Sequence, residues 1–128
     1  MDGASRGNPG PAGAGIVISN GHRTPALELA KPLGHATNNV AEYLALIYAL
    51  HEALRAGYDA VTVKTDSELL VRQLSGQYRV RDPQLRLFHD LAVQLRGSFA
   101  RCDVVHIPRE QNRAADRLAG QAAESQRL

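Results

Sequence analysis

Four carboxylic acids in this 128-residue chain fall where chemistry is easiest to build: Asp2, Glu42, Asp66 and Asp116. Each also has an ordinary structural reading. Asp2 precedes a glycine-rich turn and could serve as a turn carboxylate. Glu42 follows Asn39 by three residues, the spacing of a capping box that satisfies a helix N-terminus. Asp66 falls between a predicted strand and a predicted helix, where acids and hydroxyls commonly cap. Asp116 sits early in the last predicted helix, where negative charge complements the helix dipole. Singly, these readings outweigh a functional one. Together, the four lie at or near the ends of predicted elements, and ligands of open α/β sheets gather at the carboxyl ends of strands. Carboxylates brought together repel one another unless a cation lies between them. An all-oxygen acidic set suits Mg²⁺ or Mn²⁺ rather than zinc. Two such ions can activate a water and stabilise the leaving oxygen in phosphodiester cleavage.

The elements that must position these acids can be read from punctuation and periodicity. Gly7-Asn8-Pro9-Gly10-Pro11 is turn chemistry, and Ala14–Ile18 reads as a strand ended by the hairpin signal Asn20-Gly21. Pro25 and Pro32 bracket a weaker strand through Leu27 and Leu29, which suggests an antiparallel meander. From Asn39 to about Ala56, the residues Val40, Leu44, Ile47, Tyr48 and Leu54 recur at helical spacing, and Gly57 supplies a stop. Val61–Thr65 is a β-branched strand, followed by a short helix over Ser67–Ser75. Pro83 opens a helix carrying Leu85, Phe88, Leu91, Ala92 and Leu95, which Gly97 ends. Cys102–Ile107 is a final strand, and Gln111 to Ala123 a final helix. Ser125–Leu128 is expected to fray. Strands come first, then helix–strand–helix–helix–strand–helix. The predicted class is therefore α/β, one domain over residues 1–128, with the later strands parallel neighbours.

Composition narrows the partners. Hydrophobic residues make up 44% and charged residues 22%, and no apolar run reaches the roughly 20 residues of a membrane span. The N-terminus lacks the apolar stretch of a secretory signal. Cys102 is the one cysteine, so intrachain disulfides and cysteine-based zinc are excluded. A reducing, cytoplasmic setting is the expectation. Net charge is +2 with a pI near 9.0, and all basic residues but Lys31 and Lys64 are arginines. Arginine offers a planar fork of donors suited to phosphate. Aromatic content of 5% without tryptophan argues against a base-stacking single-strand platform. A polyanion gripped along its backbone fits better.

Four segments then occur in order: Asp2-Gly3-Ala4-Ser5-Arg6-Gly7-Asn8-Pro9-Gly10, Thr37-Asn38-Asn39-Val40-Ala41-Glu42-Tyr43, Thr65-Asp66-Ser67 and Asn112-Arg113-Ala114-Ala115-Asp116-Arg117-Leu118-Ala119. Together they resemble type 1 ribonuclease H over nearly the whole chain. The compact bacterial and archaeal branch is most similar, because Gly76–Pro83 is too short for the long basic protrusion of other members. The resemblance implies a ribonuclease H-like fold: a five-stranded mixed sheet, its first three strands antiparallel and the rest parallel, flanked by helices. It also implies hydrolysis of the RNA strand of RNA–DNA hybrids by a two-metal-ion mechanism, leaving 5′-phosphate and 3′-hydroxyl ends. By matched position, Asp2, Glu42, Asp66 and Asp116 become the catalytic acids that bind Mg²⁺ or Mn²⁺.

Asn8, Asn38 and Asn39 resemble the family's readers of the 2′-hydroxyl, and an amide side chain can both donate to and accept from that group. Thr37 resembles an anchor for a DNA-strand phosphate. Arg79 and Arg81, with Arg72 and Arg86 nearby, are expected to track DNA phosphates. Longer bacterial members carry a histidine in a mobile loop before the last acid. Here Val105–Asn112 is shorter, and Arg109 or Glu110 stands in for that auxiliary function. His106 is read as structural, His22, His35, His51 and His89 as surface or partly buried, and Cys102 as a small buried apolar residue.

One departure from the family pattern is plain. The family's first acid sits midway along a central strand, whereas only Met1 precedes Asp2. The expectation is a half-length first strand, exposed neighbouring strand edges and a frayed Asp2. A start upstream, a partner chain completing the strand and a tolerated short strand all account for this, the first being preferred. The protein is otherwise expected to be a monomer. The alternative function is a hybrid- or duplex-binding module with weak or lost catalysis. A third reading keeps the metals but cuts double-stranded RNA or DNA junctions.

Overall fold

The computed structural model describes residues 1–21 and 26–126. Readings that rest on His22 and Pro25, and on the last two residues, lie outside the described residues. Three antiparallel strands come first: β1 (Asp2–Ser5), β2 (Gly10–Ile18) and β3 (Leu27–Ala36). Helix α1 (Asn38–Arg55) leads to β4 (Ala60–Thr65), then α2 (Glu68–Leu74) and α3 (Pro83–Arg96). Strand β5 (Arg101–His106) lies parallel to β4, and a 3-10 turn (Arg109–Gln111) leads into α4 (Arg113–Glu124). The order is the one the periodicity predicts.

The helix starts are set by side chains the sequence supplies. Thr37 caps α1, its hydroxyl accepting from the Val40 N–H at 3.2 Å. Ser67 caps α2 through Leu70, also at 3.2 Å, and Asp82 caps α3 through Leu85 at 3.0 Å with Pro83 in the first turn. Pro32, read as the end of a strand, lies inside β3. It lies on an edge strand, next to the register shift between β2 and β3, the two settings in which a ladder accepts proline.

The five strands form two hydrogen-bonded ladders, β1–β2–β3 and β4–β5. The Met1 amino group bridges them, donating to the Lys64 carbonyl at 2.9 Å. Residues of β2 and β4 face each other across the gap between the two ladders. They line a cleft of about 700 Å³ with Ile16, Ile18, Val61 and Val63 among its walls. The fraying expected of Asp2 is not what the structure holds. Met1 and Asp2 are 7% and 6% exposed, with Asp2 in register opposite Gly15. Gln126 is likewise tied down, donating to the Ala12 carbonyl and accepting from the Gly34 N–H at 2.7 Å. Cys102 is half-buried rather than buried.

Alternate residues of β2 face two different layers, as the pleat requires. Ala12 packs with Val40 and Ala41 of α1, and Ala14 joins Tyr43, Leu46 and Leu50 in the main core. Gly13 and Gly15 face α4, where a Cβ on either would lie about 2 Å from the helix backbone. Ala115, Ala119, Ala122 and Ala123 form the buried face of α4. The helix and strand backbones therefore touch, with only small residues between them.

Candidate active site

Each acid is placed by a different device. Asp2 opens β1, and its position is fixed at both neighbours. Met1 is held by Lys64 on one side and by the buried Asn112 on the other, whose amide donates to the Met1 carbonyl at 2.9 Å. Gly3 lets α1 approach: a Cβ there would sit 2.2 Å from the Ala41 carbonyl oxygen. That approach lets the Gly3 N–H donate to Oε1 of Glu42. Asp66 follows the end of β4, where the fully buried Thr65 organises the turn. The Thr65 hydroxyl accepts from the Ser67 N–H at 3.1 Å, and its carbonyl accepts from Ile107 at 2.8 Å. Asp116 lies in the first turn of α4, which the glycines of β2 draw against the sheet.

The result is a cluster. Asp2, Glu42 and Asp66 each offer a carboxylate oxygen, all within 4.8 Å of one another. Asp116 lies outside that triad but lines the same cleft, close enough for its charge to push the Asp2 carboxyl up. The capping readings of two acids do not survive. Thr37 caps α1 and leaves Glu42 in its second turn, 8% exposed and turned inward. Ser67 caps α2, so Asp66 is not needed there. Asp116 keeps its favourable place at a helix N-terminus.

Burial and mutual repulsion set the electrostatics. Burial is the main cause holding the Asp2 carboxyl far above the ordinary carboxylate range, and the charges of Glu42 and Asp66 push the same way. Glu42 is also raised by burial, against the opposing pull of the Gly3 N–H. Burial lowers the Met1 ammonium despite the acids around it. Charged groups are removed from water here without enough positive charge to balance them. An all-oxygen triad of acids, two of them buried and Asp66 half-buried, that cannot comfortably ionise together fits a hard divalent cation.

The other residues singled out from the sequence divide. Asn38 and Asn39 line the same cleft of about 890 Å³ as the four acids, and Arg109 lies on its rim, 3.8 Å from Asp116. The Asn38 side-chain carbonyl accepts from Ser5 at 2.9 Å, and Asn8, in the β1–β2 turn, accepts from the Asn38 N–H at 3.0 Å. Both amides are thus locked by their oxygens. Thr37 combines its proposed role with the helix cap. Arg79 and Arg81 lie on the exposed connector before α3, away from the cleft lining, with buried Val80 pinning the backbone between them. Arg72 is occupied by Glu68 at 2.6 Å and by the Tyr78 ring, and Arg86 by Asp90 at 3.6 Å. Glu110 is exposed and outside the cleft lining, and His106 is exposed on β5. Sequence reasoning missed the positioning residues Gly3, Gly13, Gly15 and Asn112. The alternation Gly13-Ala14-Gly15 and the alanines of α4 were the available signal.

Fold and site together define an α/β protein with a cluster of carboxylates that could hold a metal ion. A family model described as reverse transcriptase-like matches residues 1–122. Ribonuclease HI of Halobacterium salinarum is 43% identical over 122 residues, covering 95% of this chain and 61% of that protein. A bifunctional protein of Mycobacterium tuberculosis is 43% identical over 125 residues, and the chain spans 34% of its length. The crystal structure of RNase H1 from Halobacterium salinarum superposes with a TM-score of 0.93 at 43% identity, covering 97% of this chain and 94% of that one. LC11-RNase H1, solved in complex with an RNA/DNA hybrid, gives 0.89 at 40% identity over 97% and 94% of the two chains. The chain belongs to the ribonuclease H family. Among its described residues no helix is long and apolar enough to cross a membrane.

Proposed function

We propose that this protein is an endoribonuclease that hydrolyses the RNA strand of RNA–DNA hybrids, leaving 5′-phosphate and 3′-hydroxyl ends. The carrying observation is the triad of Asp2, Glu42 and Asp66, with Asp116 beside it in the lining of one open cleft. These four acids would hold two Mg²⁺ ions, or Mn²⁺ in their place. When bound, such ions supply an activated water and charge stabilisation at the leaving oxygen.

The chain's own residues do the rest. Gly3 fixes one oxygen of Glu42, and Asn112 fixes the backbone at Asp2, so the ligands are arranged before substrate arrives. Asn8 and Asn38 spend their carbonyl oxygens inside the protein. Their amide N–H groups remain to donate to a 2′-hydroxyl, and exposed Asn39 adds a third such amide. The Thr37 hydroxyl, while accepting from Val40, keeps its proton for a DNA-strand phosphate. Arg79 and Arg81 follow the same strand farther out. Arg109, at the cleft rim, is the better placed of the two auxiliary candidates. A cytoplasmic setting and a monomeric state complete this reading.

The binding-module alternative rested on a loosely held Asp2, and a buried, pinned Asp2 favours cutting. Labelled hybrid incubated with Mg²⁺ or Mn²⁺ tests this. Cleavage of the RNA strand, abolished by Asp66→Asn, is the expected result. Tight binding without cleavage supports the module, and preferential cutting of double-stranded RNA or DNA junctions the third reading.

A further inference from the structure

The cleft does not end at the acids. It continues along α4 past Asp116 to Arg117, Gly120, Gln121 and Glu124, with Arg6 from the β1–β2 turn on its far wall. The positions Arg113, Arg117, Gly120 and Glu124 fall on one exposed ridge of the helix, because three- and four-residue steps share a face. The opposite face is the alanine surface buried on β2. Gly120 leaves a gap in that ridge. The Arg6 guanidinium lies over it, 3.2 Å from where a Cβ would stand. Arg6 is steadied there by Glu124 at 3.6 Å, which neutralises the one acid at this end. Arg109 is engaged with Asp116 at 3.8 Å. Arg117 is exposed, lines the cleft and has no ion pair or hydrogen bond among the described residues.

A floor of four acids would normally draw a nearby guanidinium into a salt bridge, yet Arg117 stays out of one. Its fork remains available for an anion, and the hydrolytic reading supplies one. We propose that Arg117 and Arg6 form a phosphate subsite for the cut strand, seating a phosphodiester next to the scissile one on one side of the break. Asp116 and Gly120 are four residues apart, roughly 6 Å along the helix. That spans about two nucleotides at 3.4 Å of duplex rise per step. The subsite therefore holds the strand one to two nucleotides from the acids. It fixes which phosphodiester reaches them and leaves the bond-breaking groups untouched. This inference rests on the hydrolytic reading of the acidic cluster.

The test compares wild type with Arg117→Ala and Arg6→Gln on three RNA–DNA hybrids. One extends well past the cleavage site on both sides, and two end within a nucleotide of it, one on the 5′ and one on the 3′ side. For the long hybrid, Arg117→Ala should raise KM roughly five- to tenfold with kcat unchanged, and flatten the log–log salt slope by about 1, the signature of one lost phosphate contact. The effect should vanish on one of the two truncated hybrids. An unchanged KM and salt slope, or an equal penalty on all three hybrids, overturns the subsite while leaving the nuclease reading intact. If wild type cuts no hybrid, the hydrolytic reading fails on its own, and direct binding of the same three hybrids decides the subsite by the same pattern.

Discussion

At Asp2 the requirements of folding and of function oppose each other. A metal ligand must be held tightly, and tight holding here means burial beside Glu42 and Asp66, which penalises the charge a ligand needs. Asp2 and Glu42 therefore titrate above their ordinary values of 3.8 and 4.5 in the folded protein. A folded state that keeps protons the unfolded chain has released loses stability as pH rises. In chelator, the melting temperature should fall from mildly acidic pH toward pH 8, with Glu42→Gln flattening the slope. Mg²⁺ should restore stability most at the higher pH, because it binds the ionised, folded form. A melting temperature that is flat with pH in the metal-free protein would contradict this account. Among the acids, Asp66→Asn should cut kcat at least a hundredfold, since loss of even a supporting partner at a metal site costs about ten- to a hundredfold. Steady-state cleavage assays with circular dichroism as a folding control check it.

Between elements, backbone contact does the aligning. Gly15 admits α4 so closely that a Cβ would lie 1.9 Å from the Ala115 carbonyl oxygen, next in sequence to Asp116. Gly15→Ala should therefore push the helix outward. The expected cost is about 1–3 kcal/mol of stability, the usual size of overpacking. It should bring a loss of activity exceeding that of an equally destabilising change elsewhere, because Asp116 moves away from Asp2. Phe99→Leu, in the core away from the acids, is a suitable comparison. Equal activity losses per unit of stability would mean that α4 is not positioned this way. At the other helix, Thr37→Val removes a cap and should cost about 1 kcal/mol in thermal or denaturant unfolding.

Across the whole molecule, a modest net charge of +2 conceals a separation of roles. Acids collect on the cleft floor, while Arg6, Arg109 and Arg117 border it and Arg79 and Arg81 stand on an exposed connector. Hybrid binding should weaken steeply with salt, with a log–log slope set by the number of phosphates contacted. Affinity that stays flat from low to moderate salt would remove the arginines from the interface.

Much of this was legible in the residues themselves. Periodicity, caps and glycine stops placed the strands and helices in the right order, because those signals act over one to four turns of chain. The four acids were identifiable through the motifs around them. Local pattern could not show that Thr37 and Ser67, rather than Glu42 and Asp66, cap their helices, since neighbouring residues offer equally plausible capping spacings. Nor could it show Asp2 buried at the start of the chain. Its anchors are Lys64 and Asn112, 62 and 110 positions away in sequence, counted from Asp2. The sequence by itself determined the elements, the acids and the arginine-rich character. Only the tertiary structure decided which carboxylates share a site and which arginine stays unpaired beside them, because both depend on backbones meeting where glycine leaves no side chain between them.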